Sequence, residues 1–271
     1  MPRCRLRHTT KTLLAAVFAV AAPLGAQATP AQAQTRVVEQ GTPVYVQGTG
    51  ICTIGYNDPA RHRSFTAAHC GTEGARVELI NPATGARTGA AGTFYRSKAY
   101  DGRLGNDWGA IQWDGGVGVG GNGFSGDAWV HPRDIRLGET VCYYGYASRR
   151  TSCGPFSGSA DNTFFAAAPL SHPGDSGGPM WVPGRGFVGV TSSMWSSNPL
   201  PLLRTANFVI GVVPDDGPAV PEARLVGVWA QNAFFPGLTG PVGEALRRVN
   251  DAVFRAVAGM GLGVPSALQY S

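Results

Sequence analysis

From Val44 to Trp195 the chain breaks into short apolar runs, each closed by turn residues. "PVYVQG", "ICTIGY", "RSFTAAHC", "RVELI" and "WGAIQW" carry it to Trp113, separated by "NDP", "NPATG" and "YDGRLGND". After "GGVGVGGNGFSGD" a second series follows: "AWVHP", "ETVCYYGY", "NTFFAAAPL", "PMWVPG" and "GFVGVTSSMW". Runs of this length, punctuated by Gly, Pro, Asn and Asp, read as strands of a sandwich or barrel. The prediction is an all-β body in two halves, over about 41–120 and 121–235. The Pro-rich stretch 196–225 gives no assignment. One segment differs. In "TGPVGEALRRVNDAVFRAVAG", Val242, Leu246, Val249 and Val253 step by four, three and four, which is a helix face. Pro241 suits the first turn and Gly259 the stop, so a helix is predicted over 240–259.

The glycine run "GVGVGG" (116–121) fits G-x-G-x-x-G in form. No helix follows it and no strand–helix–strand unit surrounds it, so a dinucleotide site is rejected in favour of an inter-half loop.

The opening "MPRCRLRHTTK", the apolar "LLAAVFAVAAPLGA" and the small residues of "AQA" have the pattern of a secretory leader cut after Ala28. Residues 29–40 then read as a linker or short pro-segment. The cut changes the charge. The 22 basic and 17 acidic residues give +5, but Arg3, Arg5, Arg7 and Lys11 leave with the leader, so 18 face 17. A net +1 gives no charge case for a nucleic-acid partner. No membrane attachment is expected after the cut.

Cys4 also lies in the leader. Cys52, Cys70, Cys142 and Cys153 remain. Four cysteines in an exported chain suggest two disulfides, with three possible connectivities. The sequence-local pairing joins Cys52 to Cys70 and Cys142 to Cys153, each closure contributing roughly 3 kcal/mol. They do not have zinc-site spacing, and no metal or other cofactor is expected.

"SHPGDSGGP" (171–179) holds Ser176 on a glycine-rich bend. A surface turn is one reading of it. The other is a nucleophile, whose hydroxyl needs exposure, a base and nearby N–H groups for an oxyanion. "TAAHC" supplies His69 beside Cys70, and a disulfide there would hold the histidine rigid. "GNDWGAIQW" puts Asp107 at the mouth of an apolar strand, where a buried acid can fix an imidazole tautomer. His8, His62, His131 and His172 read as surface histidines, and Asp101, Asp114 and Asp127 as turn residues.

"TAAHC", "NDWGAI" and "GDSGGP" in that order resemble the chymotrypsin-like (trypsin-fold) serine proteases. The short first half and "VCYYGYASRRTSCG" look most like the secreted actinobacterial streptogrisin and α-lytic group. The resemblance implies two packed six-stranded antiparallel β-barrels with the site between them. It implies Ser176 as nucleophile, His69 as base, Asp107 as its orienter and an oxyanion hole from the N–H groups of Gly174 and Ser176. Asp175 is then a buried acid paired with a cation. The candidates are Arg149, Arg150, Arg136, or a new N-terminus at Val37, because Tyr143 stands where the bacterial group has an arginine.

The resemblance places Leu170, Ser171, Ser192 and Met194 at the substrate pocket. Leu170 and Ser171 offer no acid, and Met194 replaces a pocket-wall glycine. The expectation is a secreted, monomeric serine endopeptidase acting on protein or peptide substrates with small to medium apolar P1 residues. A non-catalytic binding protein with a blocked pocket is the competing expectation. "GDSGG" also fits the G-x-S-x-G of α/β-hydrolases, but those place the histidine last and need βαβ alternation.

Overall fold

The computed structural model describes residues 36–102, 104–197, 206–218, 220, 222–235, 238, 240–260 and 266–270. The predicted leader, 1–28, lies outside them.

The first half contains β1 (Arg36–Val38), β2 (Pro43–Val46), β3 (Gly50–Thr53), β4 (Tyr56–Asp58), β5 (Arg63–Thr66), β6 (Arg76–Ile80), β7 (Arg87–Arg96), β8 (Gly109–Trp113) and β9 (Val117–Val119). Seven of these form one antiparallel sheet in the order β3-β2-β6-β7-β8-β5-β4. Its first and last strands are successive pieces of one segment. Ile54 N–H donates to Thr42 on the β2 side, and Gly55 N–H donates to Phe65 on the β5 side, both within 2.9 Å. The sheet therefore curls back on itself. Inside it Val44, Val46, Ile54, Val77, Phe94 and Ile111 are wholly buried.

The second half contains β10 (Thr140–Gly145), β11 (Arg150–Ala160), β12 (Thr163–Ala166), β13 (Pro179–Val182), β14 (Gly186–Ser197) and β15 (Ala206–Val212). They run in the order β13-β10-β11-β12-β15-β14, and a β13–β14 pairing closes a six-stranded barrel. Phe164, Met180, Val188 and Val209 fill it. Two helices follow, α1 (Glu222–Phe234) and α2 (Gly240–Gly259), and then β16 (Ser266–Tyr270), which adds to the outer edge of β14. This is the chymotrypsin-like fold.

Several sequence expectations need correction. Residues 36–40 are part of the folded body. β1 pairs in parallel with β9, Val38 is wholly buried, and the Gln40 amide donates to Gly55 and Ser125. The same pairing makes Val117–Val119 a strand inside the glycine run, since Val alternating with Gly gives a β-compatible backbone. "AWVHP" forms no strand, only a single bridge from Trp129 to Phe187. The second barrel ends at Val212, and α1 packs outside it. Leu225, Val226 and Val228 join Phe165, Trp195, Phe208 and Ile210 in a separate core there. The predicted helix over 240–259 is α2, yet Val242, Val249 and Val253 stand exposed and Leu246 half-buried.

Candidate active site

The candidate side chains come from three places on the two halves. Thr66 ends β5, and the chain turns through Ala68–Cys70 in one turn of 3-10 helix that carries His69. The Cys52–Cys70 disulfide ties that turn to β3. Cys142 and Cys153 face each other across β10 and β11 and form the second disulfide.

Asp107 immediately precedes β8. The residue before it, Asn106, sits in the left-handed region at φ 59°, which asparagine tolerates better than most residues. Its side chain is held by the second half. The Asn106 Oδ1 accepts from Asn162 at 2.8 Å and from Gly217 N–H at 2.7 Å, while its Nδ2 donates to Gly217 O at 2.8 Å. These bonds fix where the Asp107 carboxylate points.

Asp107 is wholly buried, and each of its oxygens accepts hydrogen bonds. Oδ1 takes the His69 N–H at 2.8 Å. Oδ2 lies 2.7 Å from His69 Nδ1 and takes the Ser192 hydroxyl at 2.6 Å. The other imidazole nitrogen, Nε2, lies 2.8 Å from Ser176 Oγ. Since Nδ1 faces a carboxylate, it carries a proton, and in the neutral ring Nε2 is left as an acceptor toward the serine.

The Ser176 loop is stitched to both halves. Thr53 N–H donates to Ser176 O, and Thr53 Oγ1 donates to Gly174 O, both at 2.8 Å. Gly177 N–H donates to Thr191 O at 2.6 Å. Gly177 must be glycine twice over. Its φ is +80°, and a Cβ there would collide with Thr66 Oγ1. Gly174 also has a positive φ, +103°. Among the described residues its N–H has no protein acceptor.

Asp175, wholly buried beneath this loop, has no arginine partner among the described residues. One oxygen takes Ser148 N–H at 2.8 Å, and the other takes the Ser148 hydroxyl and His172 N–H, the latter at 2.9 Å. The cation expected from Arg149, Arg150, Arg136 or an N-terminal Val37 is replaced by these donors. The exposed His172 ring also lies near it, with Nδ1 4.0 Å away. Val37 is half exposed in β1, and the Arg36 guanidinium donates to Thr88. Burial first, and the Asp175 charge with it, raises the Tyr143 and Tyr144 hydroxyls above their ordinary range.

Ser192, expected at the substrate pocket, donates its hydroxyl to Asp107 at 2.6 Å. Met194, two residues on, is half-buried on β14, its backbone opposite Val209 of β15. Leu170 is half-buried and Ser171 buried, with no hydrogen-bond partner for the Ser171 hydroxyl among the described residues. Tyr143 fills the expected arginine place and donates its hydroxyl to Pro169 O at 2.8 Å, bracing the approach to these two. Sequence reasoning missed Thr53, Asn106, Ser148 and His172 as supports of the site. Only Asn106, next to Asp107 in a "GND" turn, carried a local signal. Among the described residues no group of His, Cys, Asp and Glu side chains is arranged to hold a metal ion.

Barrel, curled sheet and the junction between them define a chain of the trypsin-fold class. No family model matches it. Over 158 residues it is 32% identical to the uncharacterized proteins MT1863 and Rv1815 of Mycobacterium tuberculosis (strains CDC 1551 / Oshkosh and ATCC 25618 / H37Rv), covering 55% of this chain and 71% of each relative. The chain belongs to the family of these mycobacterial proteins. Among solved structures it is similar to human heparin binding protein, at 16% identity and a TM-score of 0.43 over 66% of this chain and 93% of that one. It is also similar to kallikrein-related peptidase 10, at 13% identity and a TM-score of 0.38 over 73% of this chain and 96% of that one.

Proposed function

We propose that this chain is a secreted serine endopeptidase that uses Ser176, His69 and Asp107 as a catalytic triad. The observation that carries the reading is the continuous line of contacts from Ser176 Oγ through both nitrogens of His69 to the buried Asp107, at 2.8 and 2.7 Å. Ser176 Oγ attacks the scissile carbonyl carbon as His69 Nε2 takes its proton. The carbonyl oxygen, now an anion, is met by the N–H groups of Gly174 and Ser176. The imidazolium is stabilised by the Asp107 carboxylate, which also accepts from His69 N–H and the Ser192 hydroxyl. Collapse breaks the C–N bond, and His69 passes the proton to the leaving amine. Water then repeats the sequence on the acyl-enzyme and frees the acid.

Two disulfides favour an oxidising compartment, and the leader pattern gives the route to it. Within the fold, the Cys142–Cys153 hairpin supports a likeness to the secreted actinobacterial group. For P1, the absence of an acid at Leu170 and Ser171 favours apolar side chains. The test is a serine-directed fluorophosphonate probe on the secreted protein, with casein hydrolysis measured on the same sample. Labelling confined to Ser176 and abolished in His69→Ala is the expected result. Hydrolysis that survives Ser176→Ala would overturn the reading.

A further inference from the structure

The edge of β14 that adjoins this site is taken by the chain itself. At Pro179–Val182 the neighbour of β14 on that side is β13, which pairs with Gly186–Val190 and closes the barrel. Farther along, β14 keeps β15 on one side and receives β16 on the other. The register sets Ser193 opposite Tyr270, Met194 opposite Gln269, Trp195 opposite Leu268, Ser196 opposite Ala267 and Ser197 opposite Ser266. Among the described residues no other strand pairs with that edge.

Two observations tie the edge to the site. It begins one residue after Ser192, whose hydroxyl is on Asp107, and two residues after Thr191, whose carbonyl takes Gly177 N–H beside Ser176. An extended peptide brought to Ser176 needs a row of unpaired backbone groups, and among the described residues the row that starts at this point is the one β16 uses. The direction also fits. β16 is antiparallel to β14, so it runs from Ser197 toward Ser193, and its last described residue, Tyr270, lies nearest Ser192. A peptide laid the same way presents the bond that follows it to Ser176.

We propose that Ser266–Tyr270 is a self-docked strand. It fills the backbone positions that an incoming extended peptide needs on β14 and excludes that peptide until it is displaced. The proposal rests on the reading of Ser176 as the reacting group only for its effect on hydrolysis. Its core is that the occupant of the edge comes from the chain itself.

The experiment opens the edge in two ways, by deleting residues 261–271 and by Leu268→Pro in the full chain. Proline removes an N–H and fits poorly inside a paired strand. The first readout does not need catalysis. In a Ser176→Ala background, a fluorescent peptide of sequence SALQY is titrated by anisotropy. Binding to both opened forms, and at least tenfold weaker binding to the full chain, is expected. Hydrogen exchange at the Ser193–Ser197 amides should be faster in both opened forms. The second readout is kcat/KM with active Ser176. It should rise about tenfold for a peptide amide extending four residues before the cut, and stay level for a single-residue ester that does not reach the edge. Equal peptide binding by the full chain and both opened forms, with unchanged exchange at 193–197, overturns the proposal. Peptide binding only to the opened forms, with no hydrolysis by any form, upholds the self-docked strand and overturns the endopeptidase reading.

Discussion

Ser148 holds both oxygens of Asp175, its backbone N–H on one at 2.8 Å and its hydroxyl on the other. A buried carboxylate without donors would cost several kcal/mol or stay protonated. Here neutral groups from a loop 27 residues away do the work of a cation. Asp175 lies between Gly174 and Ser176, so whatever fixes it also fixes the N–H groups on either side. Ser148→Ala keeps the backbone bond and removes the hydroxyl. Hydrogen bonds to charged groups contribute about 1.5–3 kcal/mol, and a loss of that size is expected in urea unfolding. kcat should fall while KM changes little, since the oxyanion site loosens. Unchanged unfolding and unchanged kcat would show that the backbone donors suffice.

Ser176→Ala and His69→Ala should each lower kcat by roughly 10⁶-fold, the size seen when a member of another serine-protease triad is lost. Asp107→Asn should cost on the order of 10⁴-fold, because it favours the wrong imidazole tautomer and leaves the nucleophile in place. Ser192→Ala removes one of three donors to Asp107 and is expected to cost about tenfold, near the 1.4 kcal/mol of a single hydrogen bond. All four should keep the wild-type circular dichroism spectrum. Steady-state kinetics on one extended peptide amide, using the opened edge of β14, would rank them. Ser192→Ala matching Asp107→Asn would give the serine a larger part than positioning.

Much of this was legible in the sequence, and the reasons differ by element. β2, β6 and β13 are short runs rich in large apolar residues, so their burial is written in their composition. β7 and β11 are not. "RTGAAGTFYR" and "RTSCGPFSGSA" are rich in Gly, Ala and Ser, and they are strands because neighbours pair with them on both sides. α1 was missed because the prolines around 214–221 look like loop and hid the i, i+3, i+4 spacing of Leu225, Val228 and Trp229. His69, Asp107 and Ser176 stood out because their chemistry needs particular neighbours. Ser148 did not, since any donor of the right height serves Asp175. The pairing of β16 with β14 is wholly long-range, with no local pattern to announce it.

Asn106 provides a second test of how Asp107 is placed. Asn106→Ala loses three hydrogen bonds to Asn162 and Gly217 and leaves a Cβ in the left-handed region without the amide that makes it tolerable. Asn106→Gly loses the same bonds without the backbone strain. The first should be the less stable by about 1 kcal/mol, the cost of the left-handed region for an ordinary residue. Both should lower kcat through a misplaced Asp107. Paired urea titrations and kcat values separate the two contributions. Equal stabilities would mean that the backbone relaxes out of φ 59° once the side chain is gone.

The expected P1 preference rests on Met194. The side chain is half-buried on β14, two residues beyond Ser192, at the place where the family resemblance puts a pocket-wall glycine. At the pocket's other expected wall, Leu170 is half-buried and Ser171 wholly enclosed, neither bringing a charge. Asp216, the acid most able to supply one from the segment after β15, is occupied by the Ser97 hydroxyl at 2.5 Å. An Arg or Lys at P1 would lose its hydration without a partner, at a cost of several kcal/mol. Each methylene of an Ala, Val or Leu side chain would bring roughly 0.8 kcal/mol on burial. A phenyl ring would meet the methionine. The expected order at P1 is therefore Leu and Val above Ala, with Phe lower and Arg and Lys last. Met194→Gly removes the obstruction, and the preference should move toward Phe. A peptide library varied only at P1, run on both proteins with the edge of β14 opened, reads both orders. An Arg or Lys preference in the unaltered protein would place an acid in the pocket and would reject Met194 as its wall.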